Sequence, residues 1–176
     1  LEFNNQEMLN QISEKTAGVI IETVQGDAGV RIPKIEFLIA LRKRCNEVGA
    51  QLIFDEIQCG MGRTGKVFAF EHFGVIPDIS TFGKGMANGF PLSAVAGRRE
   101  VMMEMEEIFF SGTFGGELLS LTAAKVVLQR HLTEDVCGEL SSAGQSLSHQ
   151  TELAIKESGL DGEIKISGHP SWKFIN

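Results

Sequence analysis

Cationic residues are scarce in this chain: sixteen Lys and Arg stand against twenty-three Asp and Glu, a net charge of −7. That balance disfavours a nucleic-acid surface, which needs a basic stripe, and otherwise bears mainly on solubility. Cysteines are also few. Cys45, Cys59 and Cys137 lie far apart with no C-x-x-C pair, so neither a zinc site nor a disulfide framework is indicated. A reducing, cytoplasmic setting is the expectation from that usage, with Cys59 read as an ordinary loop residue. No apolar run approaches the ~20 residues a membrane helix needs. No charged-then-apolar leader is visible either. The start at Leu1 without Met and the apolar ending "SWKFIN" predict a piece of a longer chain.

What is present is enough for a core: 176 residues, 43% of them apolar, with one domain as the prior. Residues 17–24, "AGVIIETV", form a short β-branched run of the kind found in strands buried on both faces. In "RIPKIEFLIALRKRCNEVGA", Pro33 suits a first helical turn and Ile35, Leu38, Ile39, Leu41 and Val48 supply an apolar stripe. Gly49 closes that helix in the left-handed conformation. "QLIF" follows as a second buried strand, which makes a βαβ unit and predicts a parallel sheet with right-handed crossovers. "DISTFG" and "LSAVAG" read as a third and a fourth strand. The spacing of Leu118, Leu121, Ala124 and Leu128 predicts a helix over 117–131, and a more polar helix follows over 133–157. "EIKIS" then begins a strand-like segment. The fold class is α/β.

The loop "GMGRTGK" after the second strand fits G-x-G-x-x-G and, in another reading, G-x-x-x-x-G-K. Both are phosphate motifs, and both fail here in context. The helix after Gly65 has room only to about Gly74 before Pro77, and Asp78 sits at a strand start rather than a strand end. Val67 replaces the magnesium-binding hydroxyl of a P-loop. Asp55 and Glu56, ending the preceding strand, would also set negative charge at the mouth.

Asp55 and Lys84 are more informative. Ligands of open α/β sheets bind beyond the carboxyl ends of the strands. Asp55 ends one strand, and Lys84 follows the next, flanked by Gly83 and Gly85. Glycines there would let the backbone come close to a flat ligand. A Schiff-base lysine and an acidic partner for a ring nitrogen are the two requirements of pyridoxal phosphate. On spacing alone, a solvated turn lysine and a capping aspartate read equally well.

The continuous stretch "LIFDEIQCGMGRTGKVFAFEHFGVIPDISTFGKGMANGFPLSAVAGR" resembles the signature of class III pyridoxal-phosphate aminotransferases of fold type I, the group of ornithine, acetylornithine and glutamate-1-semialdehyde enzymes. Upstream, "IIETVQGDAGV" is similar to the family's E-P-x-Q-G-E-x-G segment. Downstream, "FFSGTFGGELLSLTAA" is similar to its T-F-x-G-N/E segment. The resemblance covers nearly the whole chain, in order. It implies pyridoxal 5'-phosphate as cofactor, held as a Schiff base on Lys84, which also moves the substrate proton. It implies that Asp55 pairs with the ring nitrogen, Ile57 packs under the ring and Gln58 lies near the phenolic oxygen. It implies a homodimer in which Thr113 reaches the phosphate of the neighbouring subunit's cofactor.

The activity implied is transamination between an amino donor and a keto or aldehyde acceptor. Alternatives are a glutamate-1-semialdehyde-type aminomutase and a non-catalytic module. Residues 1–160 would belong to the cofactor-binding large domain, with a mainly parallel sheet, and 161–176 would begin the small domain. Thr23 stands where the family usually has proline and Asp27 where many members have glutamate, so substrate choice stays open. The phosphate loop and most of the small domain are not in this sequence, so the chain produced alone is expected to be inactive.

Overall fold

In a computed structural model, which describes residues 1–176, the chain folds around a four-stranded sheet. The strands are β1 (Gly18–Glu22), β2 (Gln51–Asp55), β3 (Ile79–Phe82) and β4 (Ala94–Gly97), in that spatial order. β1, β2 and β3 are parallel and β4 is antiparallel to β3. The sheet is therefore mixed rather than wholly parallel. Between Phe82 and Ala94 the chain makes only a 3-10 turn over Lys84–Met86, too little for the dozen or more residues of a parallel crossover.

Between β1 and β2 runs α1 (Ile35–Val48). It ends at Gly49, whose φ of 77° is left-handed and whose N–H donates to the Cys45 carbonyl. A side chain at that φ would be strained, which is why the helix stops there. The buried face of α1 is Phe37, Leu38, Leu41 and Cys45, whereas Ile35 and Ile39 are exposed. The expected stripe was thus partly on the wrong face: 37, 41 and 45 are one i, i+4 row, and 35 and 39 belong to another. Pro33 lies just before the helix rather than in its first turn.

Register decides which side each strand residue takes. Leu52 and Phe54 are fully buried against α1 and join Leu9, Ile12 and Val75 in the main core. Burial of each such side chain is worth about 1.5–3 kcal/mol. The neighbouring positions alternate to the opposite face. Ile20 pairs with Ile53, Ile53 with Ile79, and Thr81 with both Asp55 and Val95. That face is open: Ile20 is 63% exposed and Val95 51%. The strands are therefore covered on one face here, not on two as their composition suggests.

A short helix α2 (Arg99–Met102) leads to the exposed stretch containing Thr113, and then to α3 (Leu118–Thr133) and α4 (Val136–Glu157). On α3 only Ser120 and Ala124 are buried, while Leu118, Leu121 and Leu128 are exposed, against the expected stripe. Its first turn is capped by the Glu117 carboxylate, which accepts from the N–H groups of Leu119 and Ser120. The chain ends in a separate antiparallel hairpin, β5 (Ile166–His169) and β6 (Trp172–Ile175). Trp172 fastens this hairpin to the main body by packing with Val24, Cys59 and Ala69.

Candidate active site

The exits of β2 and β3 lie side by side and are joined by two side-chain hydrogen bonds, three residues apart on each strand, beside the backbone bond from the Glu56 N–H to the Thr81 carbonyl. Thr81 Oγ1 donates to Asp55 Oδ1 at 3.2 Å. Lys84 Nζ donates to Gln58 Oε1 at 3.0 Å. Asp55 Oδ1 also accepts the Ile57 N–H at 2.9 Å, a local loop bond that turns the chain as it leaves the strand. Asp55 Oδ2 accepts no hydrogen bond from the protein. Lys84 has no carboxylate within ion-pair distance, and Gln58 is its only side-chain hydrogen-bond partner.

Lys84 has a φ of 43°, a left-handed conformation that costs a side-chain-bearing residue about 1–3 kcal/mol. Lys84 is the first residue of the 3-10 turn Lys84–Met86, with Gly83 extended before it. The flanking glycines face protein rather than open space for a ligand. A Cβ on Gly83 would lie 3.4 Å from Ile57 Cγ2, and one on Gly85 would lie 3.1 Å from Met61 Cβ. Ile57 is half-buried and lies against the β3 exit.

Asp55 and Lys84 do not share one cavity. Lys84 and Gln58 border a cleft of about 590 Å³ that reaches to Arg130 and His131 on α3 and to Lys173 on β6. Asp55 borders a separate hollow of about 390 Å³ with Glu22 and Gln25, lined also by Phe3 and by Phe37 and Leu41 of α1. A ligand engaging both residues must span the exits of β2 and β3. Thr113 is exposed in the loop before α3. Asp27 is also exposed.

Sequence reasoning misplaced Glu56 and Cys59. Glu56 does not add charge to the mouth; it is 1% exposed and turned inward. Its Oε1 accepts from Thr23 Oγ1 at 2.8 Å and the Phe70 N–H at 3.0 Å, and its Oε2 accepts from the Ala69 N–H at 2.8 Å. Burial nonetheless raises its carboxyl above the usual carboxylate range. Cys59 is no plain loop residue: it is fully buried in this cluster, its thiol pushed up to about 12 by burial and then by the Glu56 charge. Thr23, the residue in the usual proline position, bonds both. The glycine loop serves turns and packing. Gly62 and Gly65 have φ of 85° and 87°, and a Cβ on Gly60 would lie 2.7 Å from the Glu56 carbonyl oxygen. The segment beyond it is only a 3-10 turn, Ala69–His72, so no helix is there to receive a phosphate. Thr81 was missed altogether; the signal was its register beside Asp55 once both strands are aligned.

The model of the family described as "Aminotransferase class-III" matches residues 2–169. The chain belongs to the class III aminotransferases. Among curated members of this family it is 41% identical to the acetylornithine aminotransferase of Bacillus subtilis (strain 168), over 89% of the chain and 41% of that protein. It is 40% identical to the [LysW]-aminoadipate semialdehyde/glutamate semialdehyde transaminase of Sulfolobus acidocaldarius, over 85% of the chain and 38% of that protein. Among solved structures, the PLP internal aldimine form of the Sphingopyxis sp. MTA144 FumI protein superposes with a TM-score of 0.85 at 26% identity. That match covers 98% of this chain and 42% of the other. This aminotransferase chain therefore spans about two fifths of the length of the relatives it matches, and its α/β architecture is that of fold type I.

Proposed function

We propose that the protein bearing this chain is a pyridoxal-phosphate-dependent transaminase that moves an amino group between an amino donor and a keto or aldehyde acceptor. The observation that carries this reading is the pairing of two unspent groups at adjacent strand exits. Lys84 offers an amine free of any carboxylate, and Asp55 offers a carboxylate oxygen with no protein partner. Bound pyridoxal phosphate supplies an aldehyde and an electron-accepting ring. Lys84 Nζ would be the amine that holds the aldehyde carbon and would carry the proton of the substrate Cα. Asp55 Oδ2 would hold the proton of the ring nitrogen. Ile57 would offer the ring an apolar surface, and the Gln58 amide, already bonded to Lys84, would serve the phenolic oxygen.

The residues named here fit the ring and the aldehyde, and none of them is assigned to the phosphate. Thr113 supports a homodimeric reading, in which it meets the partner's cofactor. Around it Phe109, Phe110, Phe114, Leu118 and Leu119 are all exposed, Phe109 by 96%, and an apolar patch of this size marks a covered surface. The self-contained β5–β6 hairpin supports placing a boundary near residue 160, with 1–160 in the large domain and 161–176 opening the small one.

Borohydride reduction of the full-length protein loaded with pyridoxal phosphate, followed by peptide mapping, tests the assignment. The pyridoxyl group is expected on Lys84. Label on Lys66 or Lys43 instead would refute it.

A further inference from the structure

We propose that Thr81 is a positioning residue that sets which oxygen of Asp55 faces the cofactor; the proposal rests on the reading of Asp55 given above. Parallel pairing of β2 and β3 puts Thr81 directly beside Asp55, on the same open face of the sheet. A carboxylate at a strand end is free to turn about its last bond unless something fixes it. Here both fixing donors converge on one atom. The Ile57 N–H and the Thr81 hydroxyl both bond Oδ1, at 2.9 and 3.2 Å.

The consequence is an asymmetric carboxylate. Oδ1 is occupied by the protein and Oδ2 is left to a ligand. The backbone donor comes with the turn whatever side chain Ile57 carries. Thr81 supplies the only side-chain donor, and it reaches across from the strand that leads, three residues later, to Lys84. One short strand therefore fixes both ends of the site: the Asp55 rotamer through Thr81 and the amine through Lys84. Positions held within small tolerances by such supporting hydrogen bonds are what a preorganised site requires. Without the hydroxyl, the single remaining donor permits rotation, and Oδ2 loses its fixed aim.

The test uses the full-length protein reconstituted with pyridoxal phosphate labelled with ¹⁵N in the ring. The ring-nitrogen NMR signal reports whether that nitrogen is protonated. Thr81→Val keeps shape and strand preference but removes the hydroxyl; Thr81→Ala removes it by a second route, and Thr81→Ser restores it. In Thr81→Val and Thr81→Ala the signal is expected to move toward the unprotonated position. The amine-to-cofactor half reaction is expected to slow about tenfold, the scale of one hydrogen bond to a charged group, with KM for the donor unchanged. Thr81→Ser should return both readouts to wild type. The proposal is overturned if the signal stays at its wild-type position in both hydroxyl-free variants while Asp55→Asn shifts it. Should Asp55→Asn leave the signal unmoved as well, the reading of Asp55 itself has failed, and the proposal falls with it.

Discussion

Replacing Glu56 by alanine should be among the most damaging single changes in this chain, though Glu56 touches neither Lys84 nor the oxygen of Asp55 that is free for a ligand. Its carboxylate is the acceptor for the Thr23 hydroxyl and for the N–H groups of Ala69 and Phe70. Truncation strands three buried donors at about 1 kcal/mol each, so a loss of about 3 kcal/mol is expected before any cavity cost. Glu56→Gln should also be unfavourable, because each carboxylate oxygen faces a backbone N–H and the amide NH₂ must oppose one of them.

The pH dependence has a definite sign. Burial raises the Glu56 carboxyl above its ordinary value of 4.5, outweighing the donors at Ala69, Thr23, Phe70 and Cys59. The folded state therefore binds the proton more readily than the unfolded chain does. This group adds stability as the pH falls through its raised native value toward 4.5. Glu56→Gln lacks that contribution, so the gap between wild type and variant should widen on acidification. Urea denaturation at several pH values, with unchanged slope, measures both effects. A loss under about 1 kcal/mol in Glu56→Ala would show that those donors find other partners, and the argument would be wrong.

Two further outcomes follow from the same packing. Burial raises all three thiols, but Cys59 and Cys45 are fully buried whereas Cys137 is only half-buried and open to reagent. Iodoacetamide on the folded protein at mildly alkaline pH should therefore modify Cys137 well ahead of the others, and equal rates at Cys59 would contradict its placement. Trp172→Ala should release the terminal hairpin, since Trp172 packs on Val24, Cys59 and Ala69 and lies beneath the Arg63 guanidinium at 5.9 Å. Removing a buried Trp costs about 3–5 kcal/mol. Amide exchange over residues 166–175 should accelerate while β2 keeps its protection, and an unchanged hairpin would show that other contacts hold it.

Much of this protein was legible in one dimension because the signals involved are local. β-branched runs between glycines and prolines gave four strands, and Gly49 ended α1 where its left-handed φ was needed. The long ordered signature gave the family, and the candidates Asp55, Gln58 and Lys84 stand at the strand exits where their short spacings from the strands put them. Whether each apolar residue is buried was not local. Ile35, Ile39, Leu118 and Leu121 are as apolar as their neighbours, and only the direction from which another element packs decides that they are exposed. The inward turn of Glu56 was likewise invisible, since its partners at 23, 69 and 70 come together only through the fold. So was the bond from Thr81 to Asp55: it exists because β2 and β3 pair in one register, and a shift of one residue would turn Thr81 to the other face. Sequence named the candidate residues for the chemistry. Tertiary structure decided which of their atoms are held and which are left free, because that depends on strand pairing and packing between segments distant along the chain.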